Sequence, residues 1–227
     1  MKIDIWSDIA CPWCYIGLTR FERALAEFPQ RDEVKVTVHS FQLDPSLPDS
    51  YPGTEAEYLS GRKGISVPEV EAMFEHVAAA AASEGLTMRF DTLAVANSRR
   101  AHRVLHAAAA ADPSGATQRR LEDSLFRAHF TDGESIADPD VLVRLATTAG
   151  MNAAEAAAAV DDETRDAEVA AAMRALFTDT HNVAEGAGAA ALAAAQQERS
   201  QLQGQHVGLA LTGGNVDASA FAKVLAA

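Results

Sequence analysis

The sequence predicts an α/β chain: a strand–helix–strand unit at the N-terminus, followed by a large α-helical insertion. Three observations carry this. Apolar residues alternate over Lys2 to Trp6 and again over Val34 to His39, the period of a strand. Between them Leu18, Phe21, Leu25 and Phe28 recur at helical spacing. From Thr54 to about Ala175 the period is helical throughout.

In the first strand Ile3 and Ile5 share one face, and a helix follows that Pro29 ends. In the second strand Val34, Val36 and Val38 alternate with Lys35, Thr37 and His39, and the run continues into Ser40-Phe41-Gln42-Leu43. Two strands joined by one helix in this short span make a parallel pair with a right-handed crossover. Asp44 to Gly53 holds three prolines and reads as an extended loop.

The insertion is punctuated by helix signals. Thr54-x-x-Glu57 and Ser66-x-x-Glu69 have the capping-box pattern. Val70, Met73, Phe74 and Val77 form one apolar stripe, and a long helix is expected over Leu93 to Ala111, closed by Asp112-Pro113-Ser114-Gly115. Leu121, Leu125, Phe126 and Phe130 mark another. Asp138-Pro139 is an N-cap with proline at the first helical position, Gly150 a stop, and Asn152-x-x-Glu155 a further start. In the tail, Ala184 to Gln197 is Ala/Gly-rich. Val207 to Leu211 reads as a short strand, Thr212 to Asn215 as a turn, and Asp217 as the cap of a last helix. The division expected is a discontinuous domain, 1–45 with 176–227, around a helical subdomain, 46–175.

The chemistry concentrates in Cys11-Pro12-Trp13-Cys14, which holds both cysteines of the chain. The pair falls at the strand-to-helix junction. Helical neighbours three apart lie roughly 5–6 Å from each other, close enough for a disulfide. The first turn offers unpaired N–H groups and the positive end of the helix dipole. Cysteine pKa values in such motifs drop to about 3.5–7.5. Cys11 is therefore the expected attacking thiolate, and Cys14, one turn in and more buried, the resolving thiol. Pro12 and Trp13 tune the redox poise, Pro12 because it offers no N–H to the sulfur. Trp13, in the turn between the sulfurs, is expected at the surface, where it offers a substrate an apolar contact. Trp6 is expected to pack at a strand end. Asp8 has two readings, an acid/base near the buried sulfur or a turn former.

The 48% hydrophobic content supports a buried core, and the net charge of -13 argues against a nucleic acid or an anionic membrane as partner. Met1 opens directly into the first strand without an apolar leader, so the expected location is cytoplasmic. In that compartment a lone C-x-x-C is catalytic or metal-binding rather than a structural disulfide. His102 and His106 sit i, i+4 on one helix, but their distance from the cysteines in sequence is far from the compact zinc-finger spacing. No metal is expected, and no cofactor. His39 and His129 read as structural.

Asp8 to Gly17, with Cys-Pro-Trp-Cys at its centre, resembles the DsbA-type thioredoxin-fold oxidoreductases, and the FrnE-like branch in particular. So do Phe41-Gln42-Leu43-Asp44-Pro45, Phe90-Asp91 through Asn97 to Ala101-His102-Arg103, and Leu125 to Phe130. The likeness covers roughly residues 1–175. It implies a thioredoxin-like fold with a large helical insertion. It also implies thiol–disulfide oxidoreductase or isomerase activity on protein or small-thiol disulfides, glutathione among them. Asn97, His102 and Arg103 fall in the matching part of the insertion, where cleft lining and interdomain hydrogen bonding are both open. The family's cis-proline before its third strand has no counterpart, because no proline follows Pro139. Two other readings stand beside this one. A glutathione-dependent transferase or isomerase of the kappa or hydroxychromene-carboxylate type shares the insertion but typically has serine at the Cys11 position. A chaperone-like binder would use the cleft without redox chemistry.

Overall fold

The structure is a computed structural model that describes residues 2–40 and 42–163. The expected third strand, its turn and the last helix lie outside the described residues, as do the side chains of Trp6 and His39.

Strand β1 (Lys2–Ser7) pairs in parallel with β2 (Lys35–Ser40), Ile3 opposite Val36 and Ile5 opposite Val38. Helix α1 (Pro12–Glu27) is the crossover between them. It begins with Cys11 as N-cap and Pro12 inside its first turn, and it stops at Phe28, just before Pro29. Its fully buried residues are Tyr15 and Ile16, whereas Leu18, Phe21 and Leu25 are only half-buried.

Six described helices follow the second strand and the loop after it. Helix α2 (Glu55–Lys63) and α3 (Val67–Ala82) both open with complete capping boxes, Thr54 with Glu57 and Ser66 with Glu69. On α3 Val70 and Val77 are buried, but Met73 is exposed, so the apolar stripe is narrower than its sequence suggests. Helix α4 (Arg99–Ala111) starts six residues later than the expected Leu93. The reason is Asn97. Its side-chain oxygen accepts the Arg99 N–H and the Gln42 amide, while its own amide donates to the Leu47 carbonyl. These bonds hold residues 93–97 out of the helix and tie them to the loop after β2.

Helix α5 (Ala116–Arg127) runs on into a wide π-helical turn, Ala128–Asp132. That turn leaves the Phe130 carbonyl free to accept the Arg89 N–H at 2.7 Å, and Thr131 Oγ1 donates to the Thr87 carbonyl at 2.6 Å. The connection before α4 is thereby fastened to α5. Helices α6 (Pro139–Ala149) and α7 (Ala153–Val160) start at Asp138 and Asn152, each accepting two backbone N–H groups of its first turn.

The core joins the two parts. Tyr15 of α1 stacks on Phe126 of α5 with ring centroids 4.8 Å apart, and Phe130 packs beside both. Gln118 of α5 donates to the Val38 carbonyl of β2 at 2.8 Å in a buried bond. The insertion is therefore the floor on which the active helix rests, and its polar residues reach the sheet backbone directly.

Candidate active site

Cys11 and Cys14 lie where the alternation of β1 gives way to α1. Ile9 is fully buried and anchors the turn between them. The Cys11 N–H donates to the Asp8 carbonyl at 3.0 Å, and the Cys14 N–H to the Cys11 carbonyl at 3.1 Å. Both cysteines are free thiols, and both are half-buried. The deeper burial expected for Cys14 is not observed: Cys14 lines a groove together with Ile5, Ser7, Gly17, Leu18 and Phe21.

The two thiols are close enough for each to shift the acidity of the other. The Cys11 side chain is the largest influence on Cys14 and holds its thiol below the ordinary cysteine value, against the opposing effect of burial. The Asp8 backbone N–H and the Ser7 hydroxyl add to the lowering. The Cys14 side chain in turn pushes Cys11 upward, with burial and the negative charges of Cys14 and Asp8 acting in the same sense. This corrects the sequence reading, which placed the depressed pKa on Cys11. Cys11 stands at the mouth of the helix, where the dipole favours its thiolate once substrate approaches.

Trp13 is 47% exposed beside the pair, with its ring centroid 6.2 Å from that of His76 on α3. Pro12 is the first residue of α1. Asp8, by contrast, is 1% exposed. Its Oδ1 accepts the Ala10 N–H and His102 Nε2, both at 3.1 Å, and its Oδ2 accepts the Leu43 N–H at 2.6 Å. Burial acts to raise its pKa. The His102 hydrogen bond and charge and the Leu43 N–H more than offset this and hold it below the usual aspartate value. Asp8 thus makes the turn and ties it to the insertion. His102 is its partner, and Asn97 bonds to Gln42 and Leu47 in the loop after β2.

One buried titratable group was not singled out in the sequence. Glu122 of α5 is 4% exposed, and burial pushes its carboxyl up to about 7. In the sequence this helix is marked by its apolar residues Leu121, Leu125 and Phe126 alone. The available signal was Gln118 and Glu122 at i, i+4 beside the buried Leu121 and Leu125. His129 is structural as expected, and burial pulls its pKa down to about 4, against the opposing Asp8 charge.

The His129 shift has a stability consequence. The unfolded chain binds this proton below about pH 6.5, the folded chain only below about 4. The contribution is therefore fully present above 6.5 and is lost as pH falls from 6.5 to 4, by roughly 3 kcal/mol. Urea unfolding of the wild-type chain and His129→Gln across this window is expected to show that extra acid loss only in the wild type. Parallel curves would rule it out.

Residues 2–178 match the profile of the DSBA-like thioredoxin domain. The chain belongs to this family. Among solved structures it is similar to a probable DsbA oxidoreductase from Streptomyces coelicolor, at 30% identity and a TM-score of 0.67, over 100% of this chain and 90% of that one. It is also similar to a candidate protein disulfide isomerase from Nitrosomonas europaea, at 12% identity and a TM-score of 0.53, over 99% and 95%. A third likeness is to the cytosolic disulfide reductase DsbM from Pseudomonas aeruginosa with GSH, at 21% identity and a TM-score of 0.49, over 72% and 73%. No curated protein matches. The DsbA-like fold accounts for the parallel pair, the crossover helix opening on two cysteines, and the helices that follow. Among the described residues, no helix is long and apolar enough to cross a membrane.

Proposed function

We propose that this DsbA-like chain is a thiol–disulfide oxidoreductase and isomerase that works through the Cys11-Pro12-Trp13-Cys14 dithiol, as in the FrnE-like branch. The observation that carries the reading is the pair of free, half-buried thiols at the N-terminus of α1, Cys11 at the N-cap and Cys14 in the first turn. The Cys11 thiolate attacks a substrate disulfide. One substrate sulfur leaves as thiolate, and Cys11 holds the other in a mixed disulfide. Cys14 then attacks the Cys11 sulfur, closes the Cys11–Cys14 disulfide and releases the second substrate sulfur. The substrate gains two electrons and the dithiol loses them. Isomerisation is the same first step followed by attack of another substrate thiol. Exposed Trp13 gives a protein substrate an apolar contact next to the reacting sulfur. The electron partners are protein or small-thiol disulfides, glutathione included, and the site of action is the cytoplasm. The chemistry needs no metal or organic cofactor.

Equilibration of the full chain in buffers of defined reduced-to-oxidised glutathione ratio tests this. Mass spectrometry of the acid-quenched protein is expected to show an internal disulfide, two hydrogens lighter, appearing with a single midpoint. A chain that stays a dithiol at every ratio, or only gathers glutathione adducts, would contradict it.

A further inference from the structure

Four large apolar side chains lie open to solvent among the described residues: Trp13, Phe28, Leu43 and Met73. Phe28 is at the far end of α1, and Met73 is on α3, one turn from the His76 ring that meets Trp13. Trp13 and Leu43 both stand at the reacting end, and they come from different elements. The Asp8 carboxylate that accepts the Ala10 N–H also accepts the Leu43 N–H, at 2.6 Å, while the Asp8 carbonyl accepts the Cys11 N–H. One residue thus fixes Leu43 and Cys11 beside the same turn.

Leu43 belongs to the loop after β2, and that loop is held along its length. Gln42 bonds to Asn97, and the Pro45 carbonyl accepts Arg99 Nη2 at 2.7 Å. The Leu47 carbonyl accepts the Asn97 amide, and the Tyr51 N–H donates to the Val95 carbonyl at 3.1 Å. Leu43 is nonetheless 44% exposed. A leucine set in water on a backbone so fixed loses no loop freedom when a partner covers it, so little of the contact energy goes into ordering. Its surroundings carry little net charge. Asp44 is neutralised by Arg62 and hydrogen-bonded by Tyr58, and Pro12, Pro45 and Ser46 are uncharged.

We propose that Leu43 is a specificity-determining contact, which together with Trp13 favours polypeptide disulfides with a large apolar residue beside the attacked cysteine over glutathione disulfide. The inference rests on the dithiol reading given above and names its substrate class. A peptide lying across Cys11 sets one flanking side chain on the indole and the other on the leucine, and that apolar surface leaves water as the mixed disulfide forms. Glutathione disulfide has no apolar side chain to place there. Its carboxylates outnumber its ammonium groups, and they meet a chain of net charge -13 whose Arg62 is already paired with Asp44.

The test mixes the reduced full chain with three disulfides: that of blocked leucyl-cysteinyl-leucine, its glycyl-cysteinyl-glycine counterpart, and glutathione disulfide. Acid quenching and mass spectrometry give the rate of internal disulfide formation, normalised to the rate of each disulfide with free dithiothreitol. The wild type is expected to react with the leucine peptide about 10-fold faster than with the glycine peptide, the order that partial burial of leucine-sized side chains supplies. In Leu43→Ala this ratio falls to about 3 or less. Leu43→Met, of similar volume, keeps it within about 2-fold of the wild type. Leu43→Lys lowers the ratio and quickens the reaction with glutathione disulfide about 3-fold or more, a gain that a damaged fold does not produce. A Leu43 that merely supports the fold would slow all the reactions together and leave the ratio as it was. Equal wild-type rates with the two peptides, or a wild-type ratio in Leu43→Ala, overturn the proposal. A wild type that forms no internal disulfide with any of the three sinks the dithiol reading itself.

Discussion

A Cys11→Ser chain is expected to reduce insulin no faster than buffer with the same thiol, a complete loss of catalysis. Serine keeps the size and the position at the mouth of α1, but its hydroxyl stays protonated near neutral pH and forms no S–S bond. Nothing else among the described residues substitutes, because Cys14 is the remaining cysteine and faces the end of β1. Cys14→Ser has the opposite signature. Cys11 keeps its N-cap position, still attacks, and then cannot be released by an internal thiol. A mixed disulfide with substrate is expected to accumulate and to run as a heavier band on non-reducing gels, dissolved by added dithiothreitol. Catalysis persisting in Cys11→Ser, or no trapped species in Cys14→Ser, would reverse the roles assigned to the two sulfurs.

The second large effect is on stability. Asp8→Ala is expected to cost about 3 kcal/mol or more, because it removes a buried acceptor of three hydrogen bonds. The carboxylate satisfies His102 Nε2 and the Leu43 and Ala10 N–H groups from an almost sealed position. Deleting it strands the Leu43 N–H and His102 without partners, and each unsatisfied buried donor costs about 1–3 kcal/mol. Set against a typical total of about 5–15 kcal/mol, this takes the chain towards the edge of folding. Asp8→Asn keeps an acceptor oxygen and loses less. Urea titration at pH 7 measures both, and an Asp8→Ala midpoint equivalent to a loss under about 0.5 kcal/mol would refute the account. The pH sense follows from the depressed pKa. The folded value lies below the unfolded one, so the contribution is present above pH 3.8 and is lost as pH falls through the folded value.

What the sequence made legible was what depends on local rules. Alternation located β1 and β2, and the short span between them required a parallel crossover, as observed. Side-chain caps at Thr54, Ser66, Asp138 and Asn152 marked helix starts because each cap is settled within four residues. The Cys-Pro-Trp-Cys stretch fell on the first turn of a helix for the same reason. The start of α4 was illegible because Asn97 is held by Gln42 and Leu47, partners some fifty residues away. The electrostatics of the site were hidden too. The acidity of the two thiols depends on their packing against Ser7 and Asp8, and the buried acid Glu122 comes from α5, more than a hundred positions along the chain. A sequence pattern lists the ionisable residues; only packing tells which of them share one dry compartment.

The π-helical turn after α5 has a consequence of a different kind. Its clasp on the strap before α4 includes a main-chain amide of Arg89 meeting a main-chain oxygen of Phe130, so that link belongs to no particular side chain. Amino-acid drift at either position leaves it intact, provided the length of the turn is kept. Relatives whose letters no longer align here can still fasten the same two segments, and an insertion or deletion within Ala128–Asp132 is the change that would undo it.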